Sequence, residues 1–173
     1  MKFDLHQSII ILEKTPALLR LIMQDLNESW YMQNEGKDSW SAYDIVGHFI
    51  QGEKTDWIER TKIILDQNSN KTFVPFDRFA QFKNSKGKSL NTLLDEFKQL
   101  RIQNLEELKS FELEDSDFDK VGVHPEFGEV TLRQLLSTWT VHDLNHLNQI
   151  FRVMLKQYKD QMGPWVNYFS LLK

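Results

Sequence analysis

In four long stretches of this 173-residue chain, apolar residues recur at the three- and four-residue spacing of an α-helix, and each stretch opens on a capping signal. No other feature restricts the fold as much. Asp4 can cap a first helix near residues 5–27; inside it, Thr15-Pro16 reads as a second N-cap with Pro at the first helical position, so a break or kink is expected there. Ser41 to Asp44 resembles a capping box and opens a second helix near 41–66. A third, near 89–111, carries Leu90, Leu93, Leu94, Phe97, Leu105 and Leu108 on one face. Thr131 to Gln134 is another capping box and opens a fourth helix near 131–158, with Gly163-Pro164 as its stop and Trp165 to Leu172 as a short docking segment. Residues 67–88 are polar around Phe73, Phe76 and Phe79, as in an ordered crossover whose aromatics pack somewhere. The expected fold is all-α, a four-helix bundle with its long crossover between the second and third helices.

A chain of this length, 40% hydrophobic, has material for one good core, so a single domain over residues 1–173 is expected. Absence of Cys removes disulfides, thiolate ligands and a cysteine nucleophile, which leaves imidazole and carboxylate as metal donors. Neither a signal-peptide stretch nor a membrane-length apolar run is present, and a cytoplasmic protein without membrane partners is expected. Asn27-Glu-Ser29 and Asn70-Lys-Thr72 match the glycosylation pattern but carry no meaning without secretion. With 25 acidic against 21 basic residues and one small cluster at Lys83, Lys86 and Lys88, nucleic acid is not an expected partner. Glycine-rich phosphate loops and a nucleophile elbow are also missing. Asp115, Asp117, Asp119 and Glu126 mimic a calcium loop, yet Lys120 sits where the turn needs Gly, so they read as a solvated acidic turn.

Chemistry concentrates in the fourth helix. His142 and His146 share its apolar seam with Leu132, Leu135, Trp139 and Val153, and a pair at i and i+4 lies on one face within about 6 Å along the axis. Both imidazoles can then reach one cation if a third ligand comes from a neighbouring helix, and His48 in the second helix is the candidate. Two hydrogen-bonded core histidines would produce the same spacing. Gly52, one turn beyond His48, allows either close packing or space for a ligand. Glu53 and Asp56 flank that stripe, and either could orient an imidazole or accept a proton, but exposed helix surface carries many such carboxylates. Asp143 stands where a zinc-peptidase helix carries its general-base Glu and is too short to serve, which disfavours peptidase activity. Gln149 extends the seam as a polar wall or a partner for water, while His6 and His124 lack partners at ligand spacing.

Thr15-Pro16-Ala-Leu-Leu-Arg, Trp40 to His48, Gly52 to Trp57, His124-Pro-Glu-Phe-Gly128, and Thr131 to Leu136 leading into His142-Asp-Leu-Asn-His146 together resemble the DinB-like superfamily over nearly the whole chain. The resemblance implies an up-down-down-up four-helix bundle and a metal site whose ligands here would be His48, His142 and His146. It implies a divalent ion, with zinc or nickel suiting the imidazole set. It also implies a metal-dependent enzyme of S-transferase or hydrolase type, activating water or a low-molecular-weight thiol against a small-molecule substrate. A non-catalytic metal-binding or ligand-sensing bundle is the alternative, and a homodimer is expected in either case.

Overall fold

The computed structural model describes residues 1–67 and 70–172. Helices α1 (Leu5–Met23), α2 (Glu28–Met32), α3 (Ala42–Thr55), α4 (Trp57–Leu65), α5 (Ala80–Ser85), α6 (Leu90–Ser110) and α7 (Leu132–Lys156) follow in order, and a hairpin of β1 (Val121–His124) and β2 (Gly128–Thr131) precedes α7. Around the bundle α1 packs on α6, α6 on α3, α3 on α7, and α7 back on α1. No helix among the described residues is long and apolar enough to cross a membrane. Residues 68 and 69 of the expected crossover lie outside the described residues.

The caps act as the sequence suggests. Asp4 accepts from the Gln7 amide, and Ser41 with Asp44 and Thr131 with Gln134 form complete capping boxes. The expected break at Thr15-Pro16 does not occur: α1 is continuous through Pro16. A proline within a helix leaves the carbonyl four residues earlier without its donor. Here that carbonyl belongs to Leu12, and it accepts instead from Arg101 Nη1 at 2.8 Å. A partner from α6 thus compensates what would otherwise end the helix.

The expected continuous helix over 41–66 is divided. At Asp56 the backbone leaves helical geometry (φ −118°, ψ −77°), ending α3 and starting α4. This turn lays the Trp57 indole over Gly52, where an added Cβ would meet Nε1 at 3.1 Å, and stacks it on Trp139 at 5.8 Å. Gly52 therefore serves close packing, and no ligand space opens beside it.

Apolar packing forms two clusters along the bundle. One gathers Leu19, Ile45, Phe49, Leu93, Phe97 and Ile150, with Phe49 stacked on Phe97 at 5.0 Å. The other gathers Leu12, Trp57, Phe73, Leu105, Leu136 and Trp139. Phe73 reaches it from the crossover because Gly122 makes room: a Cβ at Gly122 would lie 2.5 Å from the ring. The crossover is fastened there, the Phe73 amide donating to Val123 O at 2.9 Å and the Val123 amide to Lys71 O at 2.8 Å. The hairpin carries no strong alternation in sequence and was not foreseen; its formation depends on this long-range pairing. As expected of a solvated acidic turn, Asp117 pairs with Lys120 and Asp119 with Arg133. Helix α7 stops at Lys156, before Gly163, and short 3₁₀ turns follow. Leu172 docks against the body, whereas Trp165 and Tyr168 stay exposed.

Candidate metal centre

His48 lies in α3 two turns after its capping box, and His142 and His146 lie in the middle of α7, held inward by Trp139, Leu147 and Ile150. The fold brings all three imidazoles together between the two apolar clusters. One ring nitrogen from each lies within 4.8 Å of the others, and His48 Nε2 approaches His142 Nε2 to 3.0 Å. Nitrogens sharing one cation at about 2.1 Å each lie about 3–4 Å apart, so small side-chain rotations separate this arrangement from a coordination set. Among the described residues no carboxylate joins the three.

The remaining ring nitrogens decide between a metal and a hydrogen-bonded core pair. His146 Nδ1 contacts Gln149 Oε1 at 2.8 Å, and because an amide oxygen only accepts, the proton sits on Nδ1 and the Nε2 lone pair is free. His142 Nδ1 faces Asp143 Oδ1 at 3.9 Å. Against His48 lies Gln81, 1% exposed, whose side chain favours a proton on that ring. The buried Nδ1 atoms of His48 and His142 lack hydrogen bonds of ordinary geometry. An imidazole pair with no other partner leaves such atoms at a cost, whereas three rings with Nε2 turned inward and acceptors near Nδ1 fit a shared cation.

Aromatic side chains enclose the cluster. Trp40 lies 4.8 Å from His48 and stacks on His146 at 6.2 Å, Phe76 meets His48 edge-on at 5.5 Å, and Phe49 and Trp57 bound His142 at 5.7 and 5.0 Å. Burial, reinforced by the charges that His142 and His146 would carry, pushes His48 down to about 3. Burial and His142 push His146 down to about 4. Both rings are neutral at pH 7, with lone pairs available to a cation. Trp40 and Gln149 also line an open cavity of about 560 Å³ beside the cluster.

Beneath the imidazoles lies a charged group for which the sequence reading made no provision. Arg101, 1% exposed, directs all five donors to partners: Nε and Nη2 to Glu53 Oε1 (3.1 and 2.8 Å), Nη1 and Nη2 to Asp143 (2.6 and 3.0 Å), and Nη1 also to Leu12 O. Glu53 accepts further bonds from Asn104 Nδ2 at 2.9 Å and Trp139 Nε1 at 3.2 Å. Two carboxylates share one guanidinium. Burial raises Glu53, while the charge and hydrogen bonds of Arg101 overcome burial at Asp143 and hold it low. Asp143 keeps the negative charge next to His142. Glu53 and Asp56 are thus not surface groups, for Asp56 is also buried and pairs with Arg60 at 2.5 Å. The other sequence candidates stay apart: His124 stacks on Phe127 at 4.4 Å in the hairpin, and His6 is exposed.

Comparison with known proteins agrees with this geometry. A sequence model of the DinB superfamily matches residues 11–150. Among solved structures, YfiT from Bacillus subtilis, described as a probable metal-dependent hydrolase with an unusual four-helix bundle topology, superposes with a TM-score of 0.71 at 20% identity over 92% of this chain and 87% of that one. TT2238, a four-helix bundle protein, gives 0.52 at 14% identity over 85% and 98%. No curated protein sequence matches the chain significantly.

Proposed function

The chain belongs to the DinB superfamily, and on that premise we propose that it is a metal-dependent enzyme in which His48, His142 and His146 hold one divalent cation, zinc or nickel, for reaction with a small molecule. The observation that carries the reading is the convergence of three neutral imidazoles, with no fourth ligand among the described residues, beside an open cavity. A cation held by three protein ligands keeps open positions, and its Lewis acidity lets water or a low-molecular-weight thiol act as the nucleophile that a Cys-free chain does not supply. The description of YfiT as a probable metal-dependent hydrolase favours water; a thiol-dependent transfer uses the same centre.

The side chains around the centre have separable tasks. Gln149 fixes the His146 tautomer, Asp143 and Gln81 stand as acceptors beside the other two rings, and Trp40 and Phe76 exclude bulk water from His48. Arg101 ties α1, α3, α6 and α7 together directly below, fixing the distance between the helices that carry the histidines. The test is elemental analysis of protein purified without a histidine tag. One divalent ion per chain, lost in His48→Ala, is the expected result. A chain that takes up no metal under any supplementation would return the histidines to a structural role, and a metal site with no exchangeable water would favour the non-catalytic alternative.

A further inference from the structure

The cavity beside the imidazoles has a chemical character of its own. Trp40 and Gln149, two of its walls, touch the metal-ligand candidates directly, so its inner end adjoins the cluster. Its outer wall is the start of α5 and the turn before it, where Phe79 and Phe82 stack at 6.4 Å while remaining 65% and 43% exposed, and Phe82 meets Trp40 edge-on at 6.5 Å. Three aromatic rings around one concavity, Phe79 and Phe82 exposed and Trp40 half-buried, form a surface for a flat or apolar molecule. Arg78 lines the same cavity. It makes no ion pair with any described residue, although Asp38 shares the lining. An unpaired guanidinium presents a planar fork of donors matched to a carboxylate or similar oxyanion.

We propose that this cavity is the substrate pocket and that Arg78 selects small aromatic or apolar molecules bearing a single anionic group. Arg78 is the one basic side chain among the described residues lining the cavity, which matches one anionic group on the ligand. The proposal rests on the metal-enzyme reading above, and its test separates the two. Benzoate and its neutral analogue benzamide serve as probes, titrated by calorimetry against zinc-loaded protein and against protein stripped of metal by chelation. Arg78 is exposed, so Arg78→Gln leaves the core untouched.

Benzoate should bind more tightly than benzamide, Arg78→Gln should weaken benzoate about tenfold without altering benzamide, and Arg78→Lys should fall between. If that dependence on Arg78 persists in the metal-free protein, the anion pocket stands whatever becomes of the metal reading. Equal binding of the two probes, no measurable binding of either, or benzoate binding that Arg78→Gln leaves unchanged would overturn it. In the last case, loss of benzoate on chelation would show the anion bound to the metal alone, and the metal reading would survive.

Discussion

At the scale of single residues, the site depends on protons being kept off some atoms and held on others. His48 and His146 are pushed down to about 3 and 4 in the folded chain, against about 6.5 in an unfolded one. Above pH 6.5 both states carry neutral rings. As the pH falls from there toward 3, the unfolded chain binds protons that the folded site refuses, so the metal-free protein should lose stability through that window and level off below it. Urea midpoints measured from pH 7.5 to 3.5 check this against His48→Gln/His146→Gln, whose curve should be flatter; an equally steep curve would place the acid sensitivity elsewhere. Gln149 works in the opposite sense, holding a proton on His146 Nδ1. Its replacement by Leu should weaken zinc binding about 10- to 100-fold while the fold persists, and competition with a chromogenic chelator reads the change.

Among the elements, α5 packs on α3 at Gly47, where the Ser85 hydroxyl occupies the space a side chain would need. A Cβ on Gly47 would lie 2.5 Å from Ser85 Oγ, while Tyr43 pins the end of α5 by donating to Ser85 O or Lys88 O, at 2.6 and 2.8 Å. Gly47→Ala should therefore destabilise the native protein, but in a Ser85→Ala background the clash is gone. There the helix-propensity gain of about 1 kcal/mol should make the same substitution neutral or stabilising. Thermal melts of the four proteins in this cycle give the sign directly, and a Gly47→Ala effect unchanged by Ser85→Ala would refute the contact argument. The helices themselves were legible in sequence because capping boxes at Ser41 and Thr131 and the apolar spacing are local signals. The histidine cluster was partly legible, since the i,i+4 pair and its seam position are local, but bringing His48 to it is a tertiary fact. Glu53, Arg101 and Asp143 were misjudged or passed over for a related reason. Each stands on an inward face of its helix, Arg101 between Phe97 and Leu105, and a charge there makes sense only when the partners on other helices are known. Pro16 was misread likewise, because the donor that serves Leu12 lies 89 residues away.

For the whole molecule, surface area bears on how many chains act together. The chain exposes 10,584 Å², whereas a folded monomer of 20.6 kDa is expected to expose about 8,900 Å². That excess is roughly twice the ~800 Å² that each partner contributes to a standard interface. Val141, Leu144, Phe151 and Leu155 lie exposed along the outer side of α7, with Trp165, Tyr168 and Phe169 exposed beyond its end. We expect a homodimer that covers part of this surface; sedimentation should show twice the chain mass, with Val141→Glu/Leu155→Glu reduced to monomer, and a wild-type monomer at high concentration would refute it. The buried guanidinium of Arg101 also has something to say about time. Its five donors find acceptors on α1, α3 and α7 only after all three have docked against α6, and stripping water from an ion before its partners arrive is prohibitively costly. We expect its dehydration to fall late, after the rate-limiting barrier to folding has been crossed. In stopped-flow measurements Arg101→Met should refold at nearly the wild-type rate yet unfold on the order of a hundredfold faster, so that this one side chain governs how long a native molecule lasts and hardly at all how quickly it forms.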